Sequence, residues 1–174
     1  MTKLIVLLTG YKCCGKTTIA RSLERNYSFK CFSFANGVKE KCAELLGTPG
    51  DITLFVNRDT KEKYRPFLKT TSEFYRKDDE YFFIRQLCKQ IEDDFHELIV
   101  IDDLRLTFEP TFIKEYFKDT AHVVIARIHR NDITLDPKDT YEQFIDNFKP
   151  DYSIYNNEPV DKSCRKLINK IYSV

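Results

Sequence analysis

Leu7 to Thr18 reads LLTGYKCCGKTT, the end of an apolar run followed by a turn that opens at Gly10 and closes at Gly15. Gly10, Gly15, Lys16 and Thr17 satisfy G-x-x-x-x-G-K-[ST], the pattern of a phosphate-binding loop. The flanks agree with it. Lys3 to Thr9 is a continuous apolar run with β-branched members, suited to a strand buried on both faces of a parallel sheet. From Lys16 to Asn26 the apolar residues Ile19, Ala20 and Leu23 recur at helical spacing. Each position of the pattern has a physical reason. The glycines let successive amides turn inward, and the helix N-terminus adds positive potential. Lys16 reaches the terminal phosphates and the Thr17 hydroxyl is a ligand for Mg²⁺. The expectation is a cradle for ATP made by Gly10, Tyr11, Lys12, Cys13, Cys14, Gly15, Lys16, Thr17 and Thr18, with the amides of residues 13 to 17 facing phosphate.

Cys13 and Cys14 lie at variable positions of that loop, with no histidine nearby to complete a metal site. Their expected role is to be small, so that the backbone closes around phosphate, and to bind no metal. A thiol at a helix N-terminus is expected to have a lowered pKa. The other cysteines, Cys31, Cys42, Cys88 and Cys164, are scattered through apolar or helical contexts with no C-x-x-C pair, which reads as free and mostly buried thiols.

The chain has 174 residues, of which 42% are hydrophobic, enough for one substantial core and a single domain. With 32% charged residues and a net charge of +1 it has no polyanion footprint, which argues against duplex nucleic acid as a partner. The first apolar run is too short for a signal peptide or a membrane span, so a cytoplasmic protein is expected. Further strands are expected at Cys31 to Ala35, Glu97 to Ile101, His122 to Ala126 and Tyr152 to Ile154. Helices are expected at about Gly37 to Leu46, Lys61 to Lys77, Asp79 to Phe95, Pro110 to Lys118 and Val160 to Tyr172. Alternating strands and helices imply an α/β fold, a three-layer α/β/α sandwich with a five-stranded parallel sheet.

Phosphate loops serve GTPases, ATPases and small kinases. No guanine-reading N-K-x-D is present. A short chain with one such loop and an insertion rich in arginine and aromatics points to a small-molecule kinase. Asp102 and Asp103 follow the apolar LIVI as a Walker-B-like pair, and Asp102 is the candidate for the Mg²⁺ shell beside Thr17.

Taken in order, the remaining segments resemble the bacteriophage-type deoxynucleoside monophosphate kinases, of the nucleoside monophosphate kinase group of phosphate-loop proteins. The family's S-F-A-D-P-L-K is similar to Ser33-Phe34-Ala35-Asn36-Gly37-Val38-Lys39. Its arginine, proline, leucine and G-T-E segment with a later arginine resembles Arg65-Pro66-Phe67-Leu68, then Thr71-Ser72-Glu73 and Arg76. Its D-x-x-F-W resembles Asp79 to Phe83, its D-x-R-x-x-x-E is met by Asp103, Arg105 and Glu109, and its D-x-x-I-x-N-N by Asp151, Ile154, Asn156 and Asn157. Asn36 and Thr71 depart from the family's aspartate and glycine, Thr17 stands where the family often has aspartate, and the chain has no tryptophan.

The resemblance implies transfer of a phosphoryl group from ATP, with Mg²⁺, to a (deoxy)nucleoside monophosphate. It places the acceptor against Phe34, Ala35, Lys39, Arg65, Ser72, Arg76, Asp103, Arg105 and Glu109, with an acceptor-binding helical region at about residues 36–95. Guanidinium forks at Arg65, Arg76 and Arg105 suit the acceptor phosphate. Phe34 is the first candidate for base stacking, with one of Phe74, Tyr75, Phe82 and Phe83 beside it. In related kinases arginines placed like Arg127 and Arg130 close a lid, here about residues 127–140, or stack on adenine. Catalysis would rest on Lys16, Asp103, Arg105 and Arg127. The resemblance also suggests a homodimer. Two alternatives stay open: a kinase of the same fold with another phosphorylated acceptor, such as phosphomevalonate or dephospho-coenzyme A, and a nucleotide-binding protein without turnover.

Overall fold

A computed structural model describes residues 2–134 and 142–173. The chain divides into two compact units, one made of Met1–Phe32 with Asp94–Val174 and the other of Ser33–Asp93.

The first unit is built on a five-stranded sheet, all parallel, in the order β2-β3-β1-β4-β5. Its strands are β1 (Lys3–Thr9), β2 (Lys30–Phe32), β3 (Leu98–Ile101), β4 (Ala121–His129) and β5 (Tyr152–Tyr155). The helices of this unit are α1 (Lys16–Asn26), α5 (Glu109–Tyr116) and α6 (Val160–Tyr172), and those of the second are α2 (Phe34–Leu45), α3 (Arg58–Asp78) and α4 (Phe82–Asp93). Parallel strands need long crossovers, and the helices supply them.

Alternation along β1 sorts its side chains between two faces. Leu4, Val6 and Leu8 join Val100, Val124, Ala126 and Ile128 against Ile19, Ala20 and Leu23 of α1 and Cys164 and Leu167 of α6. Each fully buried aliphatic of this kind stabilises by about 1.5–3 kcal/mol. The opposite face, with Ile5, Leu7, Ile99 and Ile101, is equally buried. That two-sided burial explains why the strands read as unbroken apolar runs. At the centre of the sheet, β1 pairs with β3 on one side and β4 on the other. Ligands of open parallel sheets bind beyond the carboxyl ends of the strands at such a reversal of direction, and the turn after Thr9 lies there.

The second unit has its own core. Val38, Cys42, Ala43, Phe55 and Phe83 pack together, flanked by Tyr64, Phe67, Leu68, Tyr75 and Phe82.

Some expected elements shift. Phe34 and Ala35 open α2 rather than ending a strand, because β2 stops at Phe32 and Ser33 turns the chain into the helix. Strand β4 extends to His129, so Arg127 sits inside the strand and only Arg130 follows it. Its pairing with β5 at Arg127↔Ser153 and His129↔Tyr155 carries the extension. A 3₁₀ segment at Glu142–Asn147 was not foreseen. The lid expected at about 127–140 lies partly outside the described residues. Among the described residues, no helix is long and apolar enough to cross a membrane.

Candidate active site

The turn between β1 and α1 is closed by two tight approaches. Gly10 has φ +142°, and a Cβ there would lie 2.3 Å from the Ile128 carbonyl oxygen and 2.9 Å from Cys14 Sγ. Gly15 has φ +101°, and a Cβ would meet Asn156 Nδ2 at 2.2 Å. Only glycine fits both the backbone angle and the space. Between them, Cys14 is buried and Cys13 is exposed with φ +65°. Cys14 thus fills the underside of the loop, as its small size suggested. The expected drop in thiol pKa is reversed there: burial pushes the Cys14 thiol up despite the neighbouring Lys16 charge. Burial likewise pushes Cys31 and Cys88 up to about 12. Among the described residues no cluster of three or more His, Cys, Asp or Glu could hold a metal.

Backbone donors gather at this turn. The first amides of a helix have no partner within it. Ile19 donates to the Gly15 carbonyl at 2.9 Å and Cys14 to the Tyr11 carbonyl at 3.2 Å. The amides of Cys13, Gly15, Thr17 and Thr18 have no acceptor among the described residues, as a phosphate cradle requires. The Lys12 amide is different, because it donates to Glu142 Oε1.

Lys16 folds over its own loop, donating to the carbonyls of Gly10 (2.6 Å) and Tyr11 (2.9 Å). Burial lowers the pKa of its ammonium and the Arg105 charge acts the same way, while Glu142 and Asp102 oppose them. The Thr17 hydroxyl donates to Asp102 Oδ2 at 2.7 Å. A hydroxyl and a carboxylate side by side, both hard oxygen donors, fit Mg²⁺, which is held by one or two carboxylates plus phosphate and water. The two residues expected to serve the ion are therefore neighbours.

Asp103 and Arg105 continue from β3, both half-buried. Glu109 is almost fully buried, and its Oε2 accepts the amides of Arg105 (2.8 Å) and Leu106 (2.9 Å). Its carboxylate thus holds the turn that carries Arg105, a positioning task where the resemblance had implied acceptor contact. Arg127 donates from its terminal nitrogen to Asp146 Oδ1 at 2.5 Å, and its guanidinium lies 5.4 Å from the Tyr11 ring centroid. Tyr11 itself donates to Asp146 Oδ2 at 2.7 Å. These two hydrogen bonds, Arg127's first, hold the Asp146 carboxyl below its usual range.

Arg130 pairs with Asp132 at 2.9 Å. It also lines a cavity of about 240 Å³ with Gly15, Thr18, Asn156, Asn157, Glu158 and Val160. Asn156 braces the loop from below. It donates to the Cys14 carbonyl at 3.0 Å and accepts from Ser163 at 3.0 Å.

The remaining candidates lie on the helical unit. Arg65, Ser72 and Arg76 are seven and four positions apart on α3 and so share one helical face. Arg65 makes a two-point pair with Glu62, Ser72 is buried, and Arg76 lies 5.8 Å over the Phe83 ring. Lys39 donates to Asn36 Oδ1 at 2.9 Å, one turn back on α2, where Ala35 is half-buried. Phe34 and Phe83 are buried, and Tyr75 stacks on Phe82 with centroids 4.9 Å apart. The aromatics therefore serve largely as core, while Phe74 is 68% exposed.

Sequence reasoning gave no role to Thr9, Glu142, Asp146 or Asn156. Asn156 lies in the segment that resembles D-x-x-I-x-N-N, which by itself assigns it no task. The two acids carry no local signal, because their partners in the loop, Tyr11 and Lys12, are more than a hundred residues away.

A family model described as phosphomevalonate kinase matches residues 8–119. No curated protein sequence matches the chain. Among solved structures, the shikimate kinase of Aquifex aeolicus aligns with a TM-score of 0.56 at 13% identity, covering 97% of this chain and 96% of that one. A dephospho-CoA kinase from Campylobacter jejuni aligns at 0.55 and 15% identity, covering 99% of both chains. The APS kinase of Mycobacterium tuberculosis aligns at 0.53 and 13%, covering 98% of this chain and 97% of that one. At such identities the likeness speaks for the fold, which is that of the phosphate-loop kinases.

Proposed function

The chain belongs to the phosphomevalonate kinase family, and on that premise we propose that it transfers the γ-phosphoryl group of ATP to the phosphate of a small phosphomonoester. It is a phosphate-loop kinase acting on a small molecule. In the proposed step an acceptor phosphate oxygen attacks Pγ, the bond from Pγ to the β-γ bridging oxygen breaks, and ADP leaves. The observation that carries this reading is the cradle itself: the amides of Cys13, Gly15, Thr17 and Thr18 without an acceptor among the described residues, Lys16 folded over the loop and Thr17 against Asp102. Little covalent chemistry falls to the protein in such a transfer, so positioning and charge neutralisation are what its residues supply. Mg²⁺ bound by Thr17 and Asp102 would neutralise charge on the phosphates. Lys16, Arg105 and Arg127 supply the remaining positive charge. The cavity beside Gly15 and Arg130 is a site for the adenine.

For the acceptor, our first reading is a nucleoside monophosphate, most simply a deoxynucleotide. It rests on the ordered series from Ser33 to Asn157, which continues past residue 119, where the family match ends. Arg65 and Arg76, on one face of α3, are candidates for the acceptor phosphate. The second reading is phosphomevalonate, favoured by the family match.

A panel of acceptors decides between them. Deoxynucleoside and ribonucleoside monophosphates, phosphomevalonate and dephospho-coenzyme A are each incubated with ATP and Mg²⁺, and the product is followed by phosphorus NMR and ADP release. A new diphosphate signal with one or more nucleoside monophosphates is expected. A diphosphate signal with phosphomevalonate alone would replace the first reading by the second. ADP release from no acceptor would leave a nucleotide-binding protein without turnover.

A further inference from the structure

Buried polar side-chain atoms nearly always have a hydrogen-bond partner, and an exception asks for an explanation. Among the described residues two such atoms lack one: Thr9 Oγ1 and Arg127 Nε. They are neighbours. Thr9 of β1 and Arg127 of β4 are register partners on adjacent parallel strands. Register partners of a parallel pair project to the same face, with backbones about 4.8 Å apart. Thr9 is fully buried, and the Arg127 side chain is 14% exposed. One terminal nitrogen of the Arg127 fork is held by Asp146. That bond directs the guanidinium, and Nε remains a buried donor without a partner among the described residues.

The chemistry of the two atoms restricts what satisfies them. Arginine Nε only donates, and the threonine hydroxyl donates as well as accepts. A single acceptor atom between them meets both needs, and an anionic oxygen does so best because charge-assisted bonds are the stronger ones. The surroundings are positive. Thr9 directly precedes Gly10, whose carbonyl holds Lys16 Nζ at 2.6 Å, and the Arg105 charge acts on the same ammonium. This is the end of the loop where the terminal phosphate sits in the reading given above.

We propose that Thr9 Oγ1 and Arg127 Nε form a two-donor subsite for one non-bridging oxygen of the transferring phosphoryl group. Charge on those oxygens stays high through the transfer, so donors fixed in advance by two strands stabilise it without reorganising. Asp146 is then a positioning residue, acting through Arg127. The inference rests on the kinase reading and adds to it a contact that distinguishes ATP from ADP.

The test compares wild type, Thr9→Val and Thr9→Ser for binding of ADP and of a non-hydrolysable β,γ-imido ATP analogue, each with Mg²⁺. Valine keeps the shape of threonine and removes only the hydroxyl. With Thr9→Val the analogue is expected to bind about 10-fold more weakly while ADP binding is unchanged, and Thr9→Ser restores the difference. Turnover of Thr9→Val falls by about 100-fold in kcat, with KM for ATP moving much less. Its melting temperature is equal to or above that of wild type, since a buried hydroxyl without a partner has been removed. Arg127→Lys keeps the charge but has no Nε, and adding Thr9→Val to it costs little more. If Thr9→Val bound both nucleotides as wild type does, the subsite would be refuted and the kinase reading would stand. The binding comparison needs no acceptor, so it holds whichever member of the panel is phosphorylated. If wild type bound neither nucleotide, the kinase reading itself would fall, and this subsite with it.

Discussion

The Thr17 hydroxyl donates to Asp102 Oδ2 at 2.7 Å, across 85 positions of sequence. The bond joins the last residue of the phosphate loop to the end of β3, and it presents two hard oxygen donors side by side. Asp102 is nearly buried, so its charge is kept there for a cation or a strong donor. Asp102→Asn preserves the side-chain shape and an acceptor oxygen for Thr17, while removing the charge. We expect the Mg²⁺ affinity that supports ADP formation to fall by about 10- to 100-fold. A Mg²⁺ titration of turnover measures it, with the melting temperature as a control on folding. An unchanged Mg²⁺ midpoint would remove Asp102 from the ion's surroundings.

Lys16 sets a pH dependence with opposite signs for stability and for binding. Burial holds its pKa in the folded protein below the ordinary lysine value. The unfolded chain therefore binds that proton more tightly. Between the lowered pKa and the ordinary value, the Lys16 contribution makes the nucleotide-free protein more stable as pH rises. The triphosphate needs the ammonium, so its affinity falls with rising pH, and the fall sets in before ordinary lysines titrate. Dissociation constants for the ATP analogue across the alkaline range are the measurement. Lys16→Arg, whose charge does not titrate there, is expected to give a flat profile. A wild-type profile as flat as that of the arginine variant would contradict the assignment.

Gly15 and Asn156 are coupled by contact. An added Cβ at Gly15 would lie 2.2 Å from Asn156 Nδ2, in a backbone conformation with φ +101°. Gly15→Ala incurs left-handed strain of about 1–2 kcal/mol and displaces the Asn156 bond to the Cys14 carbonyl, about another 1 kcal/mol. Asn156→Ala loses that bond without the strain. The double variant is expected to be more stable than the sum of the single effects, by about 0.5–1 kcal/mol, because the clash partner is gone. Urea denaturation of the four proteins tests this, and strict additivity would show that the two residues act separately.

Glu142 presents a carboxylate to the loop that should hold a polyanion. It is 4% exposed, accepts the Lys12 amide, and acts electrostatically on Lys16. Glu142→Gln keeps an acceptor for the amide and removes the charge. ATP binding is expected to strengthen by on the order of 1 kcal/mol, about fivefold in Kd, at low ionic strength. The gain shrinks as salt is added. Calorimetric titration at two salt concentrations measures it. A weaker affinity in the variant would show instead that the charge itself holds the loop in its binding shape.

Several elements were legible to the residue. Strand Lys3–Thr9, helix Lys16–Asn26 and helix Val160–Tyr172 match their sequence expectation at both ends. In each case a long periodic or apolar run is bounded on at least one side by glycine or proline, at Gly10, Gly15 and Pro159, so local sequence carries that boundary. At Cys31 to Ala35 the same reasoning overran, because CFSFA alternates like a strand although Ser33 already turns the chain toward α2. At β4 it stopped short. Arg127 and His129 are polar, and pairing with Thr9 of β1 and with β5 carries the strand through them.

The phosphate loop, its strand, its helix and the acidic end of LIVI were determined by the sequence alone, since each is a pattern among neighbouring residues. Which distant residues meet at that loop was decided by the tertiary structure. The order β2-β3-β1-β4-β5 brings the ends of β3 and β4 to either side of β1. That order sets Asp102 against Thr17 and Arg127 beside Thr9. Packing of the chain around β5 and the segment Glu142–Asn147 then places Asn156 under Gly15 and Glu142 on Lys12. No local pattern encodes these meetings, because strand order and packing follow from burying two faces of one sheet, a property of the whole chain.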